Sequence, residues 1–182
     1  MPSKPLRPGR VLARLAAIAC ALACAALLPR PALAGALQLG QPAPPLTLHT
    51  IDGARIATQD LRGKVVIVTF WATWCAPCRE ELPLLSDYAA RHAAQGVQVL
   101  AFSLDGPDAL PAVRAAAAGF SFPVGLLGSA WAGGYGRMWR IPVSFVIGRD
   151  GTLVDNGWTD ANPVWTAQRL QRIVDPLLAA EK

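Results

Sequence analysis

The 182-residue chain predicts an α/β domain with a mixed central sheet flanked by helices. Three observations carry that class. Two continuous apolar runs rich in β-branched residues, 65–70 (VVIVTF) and 97–102 (VQVLAF), suit strands buried on both faces. Each run is followed by a helical pattern. Two further short runs, 143–147 and 152–155, flank Arg149-Asp150-Gly151, which reads as the turn of a hairpin.

A segment of different character comes first. Lys4, Arg7, Arg10 and Arg14 precede an apolar run over residues 15–28, and Ala32-Leu33-Ala34 precedes Gly35. A basic head, a short apolar stretch and small residues before a cleavage point predict a signal peptide over 1–34 and one domain over 35–182. As a helix the apolar run rises only about 21 Å, short of the roughly 30 Å hydrocarbon core. An uncleaved membrane anchor, or a lipid anchor at Cys20 or Cys24, is the alternative. Ala17 and Ala21 stand where a lipidated cysteine usually has a leucine three positions earlier.

The leader also explains the net charge of +5: it holds five of the 17 basic residues and none of the 12 acidic ones. Residues 35–182 therefore balance at 12 against 12, and no basic face for nucleic acid is implied. With 53% apolar and 16% charged residues, the chain is neither disordered nor fibrous.

Within the domain, residues 35–45 are Pro-rich and uncharged, an extended segment. Residues 46–50 and 54–56 pair across Asp52-Gly53 as a short hairpin. A helix is expected from Cys75 to about Ala94, with Leu82, Leu85, Tyr88 and Ala89 on one face, Pro83 kinking it and Gly96 ending it. A second helix spans 105–118, with Pro107 near its start and Gly119 at its stop. Residues 124–127 read as a short strand. Residues 162–180 read as a closing amphipathic helix, capped by Asn162 with Pro163 at its first position.

Cysteine usage points to chemistry. Cys20 and Cys24 fall in the leader, so the domain holds only Cys75 and Cys78. A loop that short gains little from closure, so the pair is there for reactivity rather than as a staple. Zinc needs four ligands, and the domain offers no second cysteine pair and only His49 and His92, so no metal and no cofactor is expected. Strand, short loop and Cys-Ala-Pro-Cys opening a helix place Cys75 at a helix N-terminus. Unpaired N–H groups and the macrodipole there lower the pKa of its thiol below about 8.5. Cys75 is the expected nucleophile, and Cys78, the more buried thiol, resolves the mixed disulfide.

Phe70-Trp-Ala-Thr-Trp-Cys-Ala-Pro-Cys-Arg-Glu-Glu-Leu-Pro83 and Ile141-Pro-Val-Ser-Phe-Val-Ile147, followed by Asp150-Gly151, resemble the exported thioredoxin-like proteins of the TlpA/ResA type. The resemblance runs from about residue 37 to the end. It implies a thioredoxin fold with an N-terminal β-hairpin extension and a central αβ insertion between Val97 and Gly125. It also implies a cis peptide before Pro142 beside the cysteines, with Ile141 offering backbone groups to the substrate chain. Glu81 matches a glutamate bordering the active-site cavity, three residues after Cys78 and on its helix face, where it can tune that thiol or move its proton. Glu80 and Arg79 read as solvated. Ordinary thioredoxin keeps a buried aspartate six residues before its first cysteine; Thr69 stands there and carries no titratable proton, which leaves Glu81 as the candidate base. Trp74 belongs to the substrate-docking surface, whereas Trp71, Trp131, Tyr135, Trp139, Trp158 and Trp165 read as packing or anchoring residues.

The expected activity is therefore that of a thiol–disulfide oxidoreductase, working as a protein-disulfide reductase in the bacterial periplasm. The resemblance implies partners of two kinds: proteins with cysteine pairs, such as apocytochrome c or copper-site assembly proteins, and a membrane-embedded thiol electron donor. A monomer is the expectation for oligomeric state. A disulfide oxidase or isomerase is the nearest rival, although Ala-Pro differs from the Pro-His dipeptide of strong oxidants. A peroxidase of the related kind would carry a lone cysteine in a Thr-rich motif. A copper chaperone would need histidine or methionine ligands, and the domain has one methionine, Met138.

Overall fold

A computed structural model describes residues 37–179, so the expected leader over 1–34, with Cys20 and Cys24, lies outside the described residues. The two runs of β-branched residues form β3 (Val65–Trp71) and β4 (Val97–Ser103), paired in parallel with Val65 opposite Val97 and Trp71 opposite Ser103. Every residue of β3 is buried, as expected of a strand covered on both faces. β5 (Val124–Leu126) continues the parallel side. β6 (Val143–Ile147) runs antiparallel to β3, and β7 (Leu153–Asn156) pairs antiparallel with β6. The order is β5-β4-β3-β6-β7, a mixed five-stranded sheet with β3 at its centre.

The helices are α1 (Ala76–His92), α2 (Leu110–Ala117), α3 (Ala167–Ile173) and α4 (Asp175–Ala179). Their buried residues, including Leu82, Leu85, Val113, Leu170 and Leu178, join Val65, Ile67, Val99 and Val146 in a core on one face of the sheet. Burying a leucine of this kind contributes about 1.5–3 kcal/mol. The opposite core, around Val68, Phe70, Phe102 and Phe145, is covered by Leu48, Tyr135 and Met138, which come from the N-terminal hairpin and the 127–141 segment. Its cover is therefore a hairpin and a loop.

The hairpin pairs β1 (Thr47–His49) with β2 (Arg55–Ala57). It docks on the β5 edge, where Thr50 bridges Gly125 and the Ile51 amide donates to the Val124 carbonyl at 2.8 Å. The extended segment before it lies along the opposite edge: the Gly40 amide donates to Leu153 O, and the Leu153 amide donates to Gln41 O, both at 2.8 Å.

α1 matches the helix expected from Cys75 to about Ala94: Cys75 is its cap, Pro83 lies inside it, and a 3-10 turn leads to Gly96. Two other expected elements are corrected. The helix expected from Asp105 starts instead with a 3-10 turn, Pro107–Ala109, and becomes α-helical at Leu110, because the Asp105 carboxylate is engaged elsewhere. The closing helix expected over 162–180 starts at Ala167, with Thr166 as N-cap accepting from the Arg169 amide at 3.1 Å. Residues 162–166 are withheld from it, the Pro163 carbonyl being taken by Arg169 and the Trp165 amide by Glu81. Pro176 then divides the remainder into α3 and α4, since it lacks an N–H and clashes with the preceding turn.

Gly125 marks how closely the hairpin seats on β5: a Cβ there would lie 2.1 Å from the His49 carbonyl oxygen. Gly125→Ala is expected to cost roughly 1–3 kcal/mol in urea unfolding. A variant as stable as the parent would contradict this seating.

Candidate active site

β3 ends at Trp71, at the C-terminal end of the central strand, and four residues later Cys75 takes the N-cap position of α1. Its backbone is extended (φ −86°, ψ 102°), and its Sγ accepts from the Cys78 amide at 3.3 Å. Cys75 and Cys78 are joined as a disulfide, with Cα atoms 5.3 Å apart. Cys75 is 5% exposed and Cys78 fully buried, the expected ordering. Pro77 sits in the first helical turn, where a missing N–H costs nothing.

The loop before Cys75 is held by a buried carboxylate. Asp105 accepts from the Thr73 amide at 2.8 Å and from the Thr73 hydroxyl at 2.7 Å, and takes a third bond from Ser103 Oγ at 2.6 Å. The Leu104 amide donates to Trp71 O at 2.8 Å, so the end of β4 clamps both ends of the Trp71–Thr73 stretch. The Ile141–Pro142 peptide is cis, and the register pairing Phe70 with Val143 sets buried Pro142 beside the same end of β3.

Glu81 is 2% exposed, one turn after Cys78, while Glu80 and Arg79 face solvent. Its Oε2 accepts from the Trp165 amide at 2.7 Å, and its Oε1 is buried with no partner. Burial pushes this carboxyl up to about 7, opposed by the Trp165 amide and by the charge of Arg169. Below it, Trp165 Nε1 donates to Ser144 Oγ at 3.0 Å, and Ser144 Oγ donates to Thr69 Oγ1 at 2.9 Å. Thr69 and Ser144 face each other across β3 and β6, so the position that lacks an aspartate is filled by neutral hydroxyls.

Trp74, 68% exposed, flanks the disulfide, and Trp71 is wholly buried, edge-on to Phe120. Trp165 is core, whereas Trp131 and Trp139 are exposed. Among the described residues no group of His, Cys, Asp or Glu has metal-binding geometry. The geometry adds Asp105, Ser144, Trp165 and Arg169 to the residues legible in sequence. Each acts across a long sequence separation that no local pattern signals.

Glu81 links stability to pH. A carboxyl raised from 4.5 to about 7 favours the folded state in its neutral form. That contribution is full below about pH 4.5 and is lost as pH rises to about 7. The stability margin of oxidised Glu81→Gln over the parent should therefore grow by about 3 kcal/mol between pH 4 and pH 8 in denaturant titrations. A margin flat across that window would mean the carboxyl is not desolvated.

Residues 39–156 match the pattern of the AhpC/TSA family. The thiol-disulfide oxidoreductase ResA of Bacillus thuringiensis (strain Al Hakam) is 33% identical over 120 residues, 65% of this chain and 69% of that protein. The ResA of Bacillus anthracis matches equally. The solved structure of a thiol:disulfide interchange protein of the thioredoxin family from Chlorobium tepidum TLS superposes with a TM-score of 0.63 at 28% identity, covering 79% of this chain and 99% of that one. The chain belongs to the AhpC/TSA family, and within it to the thiol–disulfide oxidoreductases of ResA type.

Proposed function

We propose that this protein is a reductase of particular protein disulfides outside the cytoplasm. Cys75 is its nucleophile, Cys78 its resolving thiol, and Glu81 the acceptor of the Cys78 proton. The observation that carries this reading is a buried carboxyl, held near 7 with one oxygen unpartnered, one turn from the buried Cys78 sulfur in the first turn of α1. A base titrating near the working pH is the one that moves protons best.

In the reduced protein the thiolate of Cys75, stabilised by the helix N-terminus, attacks one sulfur of a client disulfide. The client S–S bond breaks, a mixed disulfide forms at Cys75, and the client's other sulfur leaves as a thiolate. Cys78 gives its proton to Glu81 and attacks the Cys75 sulfur. The Cys75–Cys78 bond forms and the second client thiolate departs. Ile141, Pro142 and exposed Trp74 form the surface on which the client segment rests. Electrons return from a membrane-embedded thiol donor, and clients of the apocytochrome c or copper-site assembly kind fit the ResA relationship. The basic and apolar pattern of residues 1–34 supports export.

With Cys20→Ser and Cys24→Ser in the full chain, equilibration in redox buffers should place the Cys75–Cys78 potential between about −270 and −200 mV. Cys78→Ser should then trap clients as mixed disulfides. A value near −120 mV would make the protein a disulfide donor and reverse the proposed direction. Glu81→Gln should slow the resolving step at least tenfold at pH 7; unchanged kinetics would remove Glu81 from the mechanism.

A further inference from the structure

Residues 157–166, between β7 and α3, form a strap that covers Glu81: half-buried Arg140 holds its first part by donating to the Gly157, Trp158 and Asp160 carbonyls, and buried Arg169 gathers the part next to Glu81. Arg169, 3% exposed, donates from Nη1 to the Pro163 carbonyl. Its Nη2 lies 2.7 Å from Asp155 Oδ2 and 3.3 Å from Asp160 Oδ2. Its guanidinium carbon stands 4.4 Å from the centre of the Trp165 ring. Trp165 is the residue whose amide meets Glu81 and whose indole meets Ser144. One planar cation thus ties β7, the strap and α3 to the only protein donor on the Glu81 carboxylate among the described residues.

We propose that Arg169 is a positioning residue for the dithiol chemistry: it fixes the strap so that the Trp165 amide binds Glu81, and it sets a buried positive charge beside that carboxylate. The inference rests on the reading of Glu81 as the acceptor of the Cys78 proton. When Cys78 attacks the Cys75 mixed disulfide, its proton passes to Glu81. The carboxylate receiving it is kept partly ionised at neutral pH by the amide and the guanidinium, against the burial that favours its neutral form.

The charged groups around Glu81 are few. α1 contributes Cys78, with Arg79 and Glu80 turned to solvent. β3 and β6 contribute the neutral hydroxyls of Thr69 and Ser144. β7 and the strap contribute Asp155 and Asp160, both drawing on the same guanidinium. α3 contributes Arg169, with Arg172 acting on Asp155. Asp155 and Asp160 therefore take the direct contacts to this cation, and Glu81 feels its charge through space. Lysine in its place would keep the charge and lose the planar fork that holds Pro163, Asp155 and Asp160 together.

The test uses the full chain carrying Cys20→Ser and Cys24→Ser, mixed in its reduced form with an aromatic disulfide. The first phase of aromatic thiol release reports attack by Cys75. The second reports attack of Cys78 on the Cys75 mixed disulfide, and its rate is followed from pH 5 to pH 9. Arg169→Met should raise the midpoint of that second phase by about one pH unit and slow it several-fold at pH 7. Arg169→Lys should give an upward shift of about half a unit. Asp160→Asn removes a negative charge beside the guanidinium from a partly exposed position, and should move the midpoint downward. Glu81→Gln should abolish the midpoint, and Arg169→Lys added to it should change nothing further. Circular dichroism melts identify the variants that fold; Arg169→Lys and Asp160→Asn carry the test if Arg169→Met does not. If Glu81→Gln leaves the profile intact, the proton role of Glu81 fails. If it alters the profile while folded Arg169→Lys and Asp160→Asn leave the midpoint unmoved, Arg169 is a structural pillar only and this inference is overturned.

Discussion

A carboxylate sealed inside a protein must be neutralised, hydrogen-bonded or paired, and Glu81 is handled by all three means at partial strength. The Trp165 amide takes one oxygen, Arg169 supplies charge from α3, and burial still holds the group near 7. Much of the C-terminal third is shaped by that compromise. Residues 162–166 stay out of the helix so that the Trp165 amide meets Glu81, α3 starts four residues after Pro163, and Arg169 is spent on backbone and carboxylate partners. In the proposed reading the site gains a proton acceptor at the cost of a group that destabilises the folded state above pH 7.

The disulfide end of the site is positioned by a separate device. Asp105 fixes Thr73, Leu104 ties to Trp71, and Cys75 is thereby delivered as the cap of α1 with its sulfur facing the Cys78 amide. Two buried carboxyl groups therefore flank the Cys75–Cys78 turn in different roles. Asp105 accepts three hydrogen bonds from Thr73 and Ser103 and is used for rigidity. Glu81 has one bond and one bare oxygen, which leaves it free to exchange a proton.

The fold and the centre of the site were legible because their signals are local. Unbroken β-branched runs gave β3 and β4, Arg149-Asp150-Gly151 gave the β6–β7 turn, and the strand–Cys-Ala-Pro-Cys–helix order placed Cys75 at a helix start. What escaped was set by tertiary demand. Asn162-Pro163 is a good helix opening, yet Pro163 O and Trp165 N are claimed by Arg169 and Glu81, so the helix waits for Thr166. Asp105 looked like the first residue of a helix and is instead a bridge to Thr73, 32 positions earlier. Arg169 lies in no motif, and Ser144, though inside Ile141–Ile147, is given no role by that motif. Their importance comes from partners in other elements, which a single sequence does not align.

The N-terminal residues close both margins of the five-stranded sheet, the hairpin along β5 and residues 40–43 along β7. Both margins are thus covered by the chain itself, which fits the proposed docking of a client at the strand ends near Pro142 and Trp74 rather than by joining the sheet. The same arrangement has a temporal side. A chain made from its N-terminus holds residues 40–43 before their partners at 151–153 exist, more than a hundred positions later. The β7 margin therefore stays open through most of synthesis, and until residues 151–153 are made the segment that will guard it is itself unguarded.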